Sequence, residues 1–531
     1  MRDRVAALVT GVPRSIEVSA HVAFVLAVVS GMLYGLAFPP WRAWGIAWIA
    51  LVPLLLAIRG ASFGRVVFYG WAWTMALSLT VIPWFGAGAA AYFGQSPLVG
   101  VLLFLLVPTV TGAVEYAAFA VCYRALGSVG PASRTLLAGA AWVMAELGRT
   151  KLLFGNPWEL LPYSQLDAGS IAQIADTTGV YGVSFVVATA NAALAELVLA
   201  GRDATGWKPA WRACALALTL AASAEGYGRW RAHLACDADP GVGRHGVAVV
   251  QANVDIGTQW RPELYGANLE TYLRLTHDAL RSAKPRVVFW PENAMTFFVE
   301  TGTTYIGAIR AVLATTGAEL VAGGPKDTGS GRDAFFNSAF LIQPDAGIGG
   351  RYDKRYLIPF GERFPLIRNE SFLQRFARVQ EFAPGEATAP LATAAGSLGV
   401  LICNEALFPE LARAHVRDGA TYLAILANDA WTRSRQYGDT ALEYARMRAI
   451  EQRWWVVRSS TSGPSAIVDP CGTVTARTEP FTRAVLEGEV APRAGLTPYA
   501  RVGDAFAWGC AGVLLAWLVR PRVRHDRSST G

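Results

Sequence analysis

The apolar residues of this chain are gathered into separate stretches, and this distribution constrains the fold more than any other feature. Of the 531 residues, 53% are hydrophobic and only 16% are charged, with a mean hydropathy of +0.31. Most stretches approach the roughly 20 residues that a helix needs to cross the hydrocarbon core of a bilayer. They lie at 20–38, 44–58, 66–84, 98–123, 135–148, 180–200, 210–222 and 503–519. We therefore predict a multi-span α-helical membrane bundle of about eight helices, although 44–58, 135–148 and 210–222 are short enough to be re-entrant or interfacial.

The basic residues of the short loops indicate how these spans are oriented. If the amino terminus is cytoplasmic, only Arg42, Arg149 and Lys151 fall in short outer loops, which agrees with the positive-inside rule. The inner loops and ends hold Arg2, Arg4, Arg14, Arg59, Arg65, Arg124, Arg134, Arg202, Lys208, Arg212, Arg520, Arg522 and Arg524. The segment between the seventh and eighth spans is then on the outer side. The net charge of +7 reflects these inner residues and predicts a lipid bilayer, not nucleic acid, as the neighbour.

The pattern changes between about 223 and 502 to that of a globular domain. Runs of Val, Ile and Leu predict strands, and helical spacing appears between several of them. The predicted strands are 247–251, 286–290, 319–323, 337–342, 400–402, 421–427, 454–459 and 464–469, and the predicted helices are 269–283 and 440–452. Such alternation is typical of a layered α/β fold. We divide the chain into a membrane domain at 1–222, an outer domain at 223–502, and a last span with a basic tail at 503–531.

The cysteines do not form an obvious disulfide framework. Three of the six lie in or beside predicted spans, where cysteine is usually a small apolar packing residue. Cys236, Cys403 and Cys471 fall in the outer domain, and a Cys236–Cys471 bond is conceivable, but the spacing leaves it open. No CxxC pair and no histidine cluster suggests zinc, so we predict neither a metal nor a cofactor.

Three reactive residues each stand at the edge of an apolar segment. Cys403 ends one strand, Glu292 follows another, and Lys354 precedes a third apolar run. A cysteine at a strand end can be held rigidly as a nucleophile, and a carboxylate in an apolar pocket is basic enough to take the thiol proton. A fixed ammonium would stabilise the oxyanion that forms when sulfur attacks an acyl carbon. Each residue alone could instead be a packing cysteine, a loop carboxylate or a solvated lysine, so the prediction depends on the combination.

The combination resembles the nitrilase superfamily, and more closely its membrane branch, the apolipoprotein N-acyltransferases. The residues concerned are Trp-Pro-Glu at 290–292, Tyr-x-Lys at 352–354 with Leu-x-Pro-Phe-Gly-Glu at 357–362, and Ile-Cys-x-Glu at 402–405. The matching positions outside these motifs are 154–165, 179–185, 251–253, 260, 428–431 and 445–449. The three motifs alone indicate only the superfamily. The predicted spans on both sides of the outer domain indicate the acyltransferase branch within it.

This resemblance implies an αββα nitrilase-like domain carried by eight helices in the bacterial inner membrane, with the catalytic domain in the periplasm. It implies transfer of an acyl chain from a phospholipid, typically phosphatidylethanolamine, through a cysteine thioester. The acceptor would be the free amine of a diacylglyceryl-cysteine apolipoprotein. By matching position, Glu292 is the base, Lys354 the oxyanion stabiliser and Cys403 the nucleophile.

The resemblance also assigns supporting residues. Glu362 supports the site, Glu405 follows the nucleophile, and Trp260 lies on the substrate side. Asn404 is a departure, because members of the family often have tyrosine immediately after the cysteine. The basic residues in 432–435 could contact lipid phosphate or form a solvated loop, and the uncharged stretch 85–97 is expected to be a mobile outer loop near the site.

Two other interpretations remain open. A membrane-tethered nitrilase-type amidase would use the same three residues but would resolve the thioester with water. A non-catalytic lipid-binding or transport protein would use the outer domain as a scaffold and would not depend on Cys403. Against transport, no predicted span has the paired ionisable residues of an ion-coupled pathway, and only Glu115 and Glu146 are candidates at membrane depth.

Overall fold

The computed structural model describes residues 19–153, 155–201, 207–236, 243–255, 262–329, 334–363 and 381–519. The part that precedes the first strand is helical. Its main helices are α1 (Ala20–Leu36), α2 (Val52–Ile58), α3 (Phe63–Val81), α4 (Trp84–Tyr92), α5 (Pro97–Pro108), α6 (Val114–Ala125), α7 (Pro131–Lys151), α8 (Val180–Ala200) and α9 (Trp207–Cys236).

Prolines set several boundaries of these helices. Pro97 and Pro131 occupy the first turns of α5 and α7, where the missing backbone N–H needs no intrahelical partner. Pro83 separates α3 from α4, and the two helices are bent by 71° at this break. Pro108 ends α5, and a π-helical segment, Thr109–Ala113, connects it to α6.

Two helical runs among the described residues are long and apolar enough to cross a bilayer. They are Pro97–Ser128, which contains α5 and α6, and α8, and the bent pair of α3 and α4 makes a third if it forms one span. Shorter apolar helices lie at Ala20–Leu36, Trp44–Ile58 and Ala505–Val519. The structure thus contains two to three apolar helices of spanning length, and the count of eight stays a prediction.

The outer domain is built from two β-sheets with helices around them. The strands are β1 (His245–Gln251), β2 (Val287–Phe289), β3 (Glu319–Asp327), β4 (Ala334–Gln343), β5 (Gly347–Asp353), β6 (Glu381–Phe382), β7 (Leu391–Thr393), β8 (Gly396–Ile402), β9 (Tyr422–Ala427), β10 (Val456–Ser460), β11 (Ala466–Val468), β12 (Val474–Arg477) and β13 (Ala484–Val490). The helices are α10 (Tyr265–Ser282), α11 (Thr303–Leu313), α12 (Pro409–Arg417) and α13 (Arg435–Gln452), and α14 (Ala505–Val519) follows the domain.

The first sheet has the order β13-β1-β2-β3-β4-β5, with β6 beside β4, and the second has the order β12-β11-β10-β9-β8-β7. Alternate residues of a strand face opposite layers. In β8, Val400 and Ile402 pack against Val249 and Phe289 of the first sheet, whereas Leu401 faces the helices behind the second sheet. Helices α10 and α11 cover the outside of the first sheet, and α12 and α13 cover the second. This layering confirms the predicted αββα sandwich.

Helix α13 connects the outer domain to the helical bundle. Near its beginning, Gln436 donates to the carbonyl oxygens of Pro39 and Thr80, each at 2.9 Å. About two turns further on, Glu443 forms an ion pair with Arg42 at 2.7 Å. The apolar core behind the second sheet is continuous with that of the bundle. The outer domain is therefore packed onto the helices rather than tethered to them by a linker alone.

A disulfide joins Cys236, the last residue of α9, to Cys471 in the turn between β11 and β12. This bond settles the pairing that the sequence left open. Around it, Gln173 donates to the carbonyl oxygen of Cys471 at 2.9 Å, and the Arg453 guanidinium binds Asp176 at 2.9 Å. Covalent and polar contacts together hold the end of α9 against the outer domain.

Two local expectations from the sequence are corrected. The stretch 85–97 is not a loop over most of its length, because α4 covers 84–92. Here α4 packs closely on α5, since a Cβ on Gly86 would lie 2.7 Å from the carbonyl oxygen of Gly100. The apolar segment at 210–222 is not short either, since it belongs to the 30-residue helix α9, which runs across the predicted domain boundary at 222.

Candidate active site

Cys403 lies where β8 passes into a short 3-10 turn, Cys403–Leu407. Its φ of +54° is a left-handed conformation, which costs a non-glycine residue about 1 to 3 kcal/mol. The hydrogen-bonded strand before it and the turn after it must maintain that conformation. Strain of this kind at a strand end fixes the direction of the side chain, which places the thiol beside the Glu292 carboxylate.

Glu292 follows β2 and is only 4% exposed. Its Oε1 accepts from Asn337 Nδ2 at 2.7 Å and from Lys354 Nζ at 3.3 Å. Its Oε2 accepts from the backbone N–H of Asn428 at 3.0 Å. Each of these three partners donates a hydrogen bond to Glu292. A glutamate side chain acts only as an acceptor when it is ionised. The geometry therefore suits an ionised Glu292 beside a protonated thiol.

Lys354 follows β5 and is fully buried, with its ammonium between two carboxylates. Nζ lies 2.7 Å from Glu362 Oε1 and 3.3 Å from Glu292 Oε1. The lysine backbone N–H donates to the carbonyl oxygen of Asn337 at 2.8 Å, which joins this segment to β4. Glu362 also accepts from the backbone N–H of Ile358 at 2.8 Å, so it holds both the ammonium and the loop.

Burial and charge shift the titration of these groups in different directions. Burial raises the pKa of Glu292, and the Lys354 ammonium opposes that shift. Burial alone would lower the pKa of Lys354, but the Glu292 and Glu362 carboxylates outweigh it and raise the pKa well above its usual value. Burial, followed by the charge of Glu292, raises the pKa of the Cys403 thiol well above its ordinary range. The resting nucleophile is consequently a thiol, which needs a base at the moment of attack.

Glu405 stabilises the backbone on both sides of the site and does not act from within it. Its buried carboxylate accepts from the backbone N–H groups of Arg355 at 2.7 Å and Tyr356 at 3.1 Å. It also accepts from the N–H of Ile402 at 2.8 Å and from the Tyr352 hydroxyl at 2.9 Å. One side chain therefore ties the strand end that bears the nucleophile to the loop that bears Lys354.

The remaining predicted residues have different outcomes. Asn404 Nδ2 donates to the carbonyl oxygen of Tyr356 at 3.1 Å, so it binds the lysine loop instead of pointing to Glu292. Trp260 lies outside the described residues. Sequence reasoning missed Asn337, which bonds to Glu292 and also to Glu362 at 3.3 Å. The available signal was the polar pair Asn337-Ser338 in the middle of β4, with apolar residues on both sides of it.

The structure brings Glu292, Lys354 and Cys403 into contact, although they lie on three different strand ends. Their catalytic roles stay predictions. Among the residues that the structure describes, no group of three or more His, Cys, Asp or Glu side chains could hold a metal ion. The arrangement can perform acyl transfer with its own side chains: a thiol, an adjacent base and a fixed cation.

Two family models match the chain. The apolipoprotein N-acyltransferase N-terminal domain matches residues 30–193, and the carbon-nitrogen hydrolase domain matches residues 246–499. A protein of Geobacter metallireducens named apolipoprotein N-acyltransferase is 33% identical over 519 residues, which cover 95% of this chain and 96% of that protein. This chain belongs to the apolipoprotein N-acyltransferases.

Other relatives with the same name agree with this membership. An apolipoprotein N-acyltransferase of Azotobacter vinelandii is 33% identical over 516 residues, covering 95% of this chain and 96% of the relative. One from Pseudomonas aeruginosa strain UCBPP-PA14 is 29% identical over 519 residues, covering 94% and 97%. The family predicted from the motifs is thus confirmed, and its name supports acyltransferase activity.

Proposed function

We propose that this enzyme takes a fatty acyl chain from a phosphatidylethanolamine-type phospholipid onto Cys403. It then passes the chain to the terminal amine of a diacylglyceryl-cysteine apolipoprotein, which completes maturation of the lipoprotein. The observation that carries the proposal is the contact of the Cys403 thiol with Glu292, which lies 3.3 Å from the buried Lys354 ammonium.

In the first half-reaction, the thiol proton moves to Glu292 while sulfur attacks the ester carbonyl carbon of the phospholipid. The oxyanion forms beside the Lys354 ammonium, whose position is fixed by Glu362. Collapse of the intermediate breaks the ester C–O bond, and the departing lysophospholipid alkoxide takes the proton from Glu292. The products are lysophospholipid and an acyl thioester on Cys403.

In the second half-reaction, the lipoprotein amine attacks the thioester carbon and transfers a proton to Glu292. Lys354 stabilises the second oxyanion in the same position. Collapse breaks the C–S bond, the sulfur takes the proton back, and the acyl chain leaves as an amide. Each half-reaction returns Glu292 to its ionised form, so one carboxylate serves as base and then as acid in both.

Both substrates are lipids, and we propose that the enzyme holds them at the outer face of a bacterial inner membrane. The domains would be seven spans that end with α9 at 236, a periplasmic domain from there to 502, an eighth span at 503–519, and a cytoplasmic tail. The Cys236–Cys471 disulfide supports an oxidising compartment for this domain.

The exposed aromatic residues of α9 support this placement. Trp211 and Trp230 are 59% and 58% exposed near opposite ends of the helix. At 1.5 Å per residue they stand about 28 Å apart along its axis, close to the thickness of the hydrocarbon core. Tryptophan side chains favour the two interfaces of a bilayer. This spacing is what a spanning α9 requires, although α9 is less apolar than α8.

Intact-protein mass spectrometry tests the function directly. Detergent-purified enzyme and a Cys403→Ala variant are incubated with phosphatidylethanolamine, and then with a diacylglyceryl-cysteine peptide. We expect a hydroxylamine-labile acyl adduct on the wild-type protein alone, discharged by the peptide. Discharge by water alone would indicate an amidase-like hydrolase. No adduct on a folded wild-type protein, with the donor verified, would remove Cys403 from the mechanism.

A further inference from the structure

We propose that Arg433 and Arg435 bind the phosphodiester of the phospholipid donor at the mouth of the site. This inference rests on the proposed function, because it assigns the residues that recognise the donor in that reaction. It adds a specificity for phosphate-bearing acyl donors to the chemistry of Glu292, Lys354 and Cys403.

The two arginines follow directly on a segment that lies between the catalytic carboxylate and the helical bundle. At one end of this segment, the backbone N–H of Asn428 binds Glu292. Three residues further on, the Trp431 ring packs against Trp84 at 5.8 Å and Tyr92 at 6.2 Å, which are the two ends of α4. The arginines therefore extend from a point where the outer domain touches the apolar helices.

The contact with α4 continues through the next residue. The Thr432 carbonyl oxygen lies 3.8 Å from the position that a Cβ would take on Gly88, so this backbone passes over the glycine-rich surface of α4. A phospholipid that reaches Cys403 from the outer leaflet has its acyl ester near the thiol and its phosphate nearer the surface. Arg433, one residue beyond this contact, lies where the apolar helix meets solvent, which is the level expected for that phosphate.

Both arginine side chains are accessible and weakly engaged. Arg433 is 79% exposed and lies 3.3 Å from Asp255, which is 55% exposed. Arg435 is 65% exposed and lies 3.7 Å from Glu479, which is 71% exposed. Ion pairs that are this solvated are worth little, because water and salt screen them. A phosphodiester can replace these carboxylates at small cost and gain charge-assisted hydrogen bonds from the guanidinium groups.

The backbone of Arg433 gives an independent reason to assign it a function. Its φ is +49°, a conformation in which glycine is favoured and a long side chain is strained. Structural requirements alone would be met better by glycine, so an exposed arginine here needs another explanation. The following residue, Ser434, caps α13 by accepting from the N–H of Tyr437, and no acidic residue occupies the first turn. The positive end of this helix adds to the field of the two arginines.

The decisive variant is Arg433→Gly, because it relieves the backbone while it removes the charged side chain. The enzyme is assayed in uncharged detergent micelles for formation of the acyl-enzyme, with phosphatidylethanolamine and with p-nitrophenyl palmitate as donors. We expect a melting temperature equal to or above that of the wild type. We also expect about a fivefold rise in KM for the phospholipid, as for loss of one cation near a lipid phosphate. The rate with the phosphate-free ester should stay within about twofold, as for an exposed surface substitution.

Arg435→Gln should behave in the same way, and Arg281→Gln, an exposed arginine on α10, is the matched control that should leave both donors unaffected. An unchanged phospholipid KM in both site variants would overturn the inference, as would equal losses with both donors. A loss that appears only when anionic lipid is added to the micelles would also overturn it, since the arginines would then bind the bulk surface. If the wild-type enzyme is acylated by neither donor, the proposed function itself fails.

Discussion

Replacing Glu292 by glutamine should abolish acyl transfer and at the same time make Cys403 more reactive toward simple alkylating agents. The amide cannot take the thiol proton, so the proposed attack loses its base. The same change removes the negative charge that destabilises the thiolate, while Lys354 keeps its positive charge beside the sulfur. Loss of the natural reaction and gain of thiolate are therefore expected together.

The size of the gain follows from the contact between the thiol and Glu292. Two unit charges about 4 Å apart interact by about 4 kcal/mol at an effective dielectric constant of about 20. Removing it lowers the pKa of Cys403, and about 4 kcal/mol corresponds to roughly a thousandfold larger thiolate fraction at a pH below that pKa. A thiolate of lower pKa is a weaker nucleophile, with a Brønsted coefficient of about 0.4 to 0.5. The net increase in alkylation rate at a fixed pH below the pKa of Cys403 in both proteins is then roughly 30- to 60-fold.

The assay is the rate of iodoacetamide labelling of Cys403 between pH 6 and 10, read by peptide mass spectrometry so that Cys122, Cys214 and Cys510 are counted separately. Because the pKa of Cys403 is raised, the wild-type rate should still be increasing above the ordinary thiol range. The variant should reach its plateau at lower pH.

Glu362→Gln is the matched control, because it removes a carboxylate that bonds to Lys354 and raises the pKa of Cys403 less than Glu292 does. It should increase labelling by a smaller factor. Equal or slower labelling of a folded Glu292→Gln variant would contradict the reasoning, because it would mean that Glu292 stabilises the thiolate instead of opposing it. Retained acyl transfer in that variant would exclude Glu292 as the base.

Three further predictions concern stability. Glu405→Ala removes the acceptor of three backbone N–H groups, and the free energy of unfolding should fall by about 3 to 6 kcal/mol. If denaturant titration in detergent finds no loss, Glu405 does not hold the strand end and the lysine loop together. Cys236→Ser opens a loop with a sequence separation of 235, and the chain-entropy model predicts a loss of about 5 kcal/mol relative to the disulfide-bonded wild-type protein. Reduced wild-type protein is the control and should match the variant. Burial lowers the pKa of His415 to about 4, so the unfolded chain binds the extra proton first and stability should fall as pH decreases from about 6.5 to 4. The loss of stability approaches about 3 kcal/mol at about pH 4. A melting temperature that does not change between about pH 6.5 and 4 would contradict this prediction, as would the same pH dependence in a His415→Phe variant.

Much of the outer domain could be predicted because its signals are local. The strand at 400–402 alternates between two apolar layers, so an uninterrupted run of Val, Leu and Ile predicts a strand buried on both faces. Glu292, Lys354 and Cys403 were identifiable because each follows the end of a strand, where the backbone is fixed. The three positions have no regular spacing along the chain, and the family motifs were needed to predict that they form one site.

The helical half was harder to predict, because apolar composition does not distinguish a lipid-facing surface from one buried in the bundle. The stretch 85–97 contains no charge and was expected to be a loop, yet α4 forms there because Gly86 and Gly100 let two helices approach closely. The segment at 210–222 was predicted to end early, since the polar residues beyond it do not continue the apolar pattern. Some of those residues contact the segment at 170–177 of the helical half, where Arg231 pairs with Asp176 at 2.7 Å and Tyr227 donates to the same carboxylate at 2.8 Å.

By itself, the sequence indicated a layered α/β domain, the family and the three candidate reactive residues, because strand periodicity and short motifs lie within a few consecutive positions. The αββα arrangement was an expectation from the family resemblance. Only the tertiary structure decided that Asn337 bonds to both carboxylates, that Glu405 is an anchor, and that Cys236 pairs with Cys471. These relations join residues that are far apart in the chain. They depend on how two sheets and a bundle of helices pack against one another, and no local pattern specifies those distances.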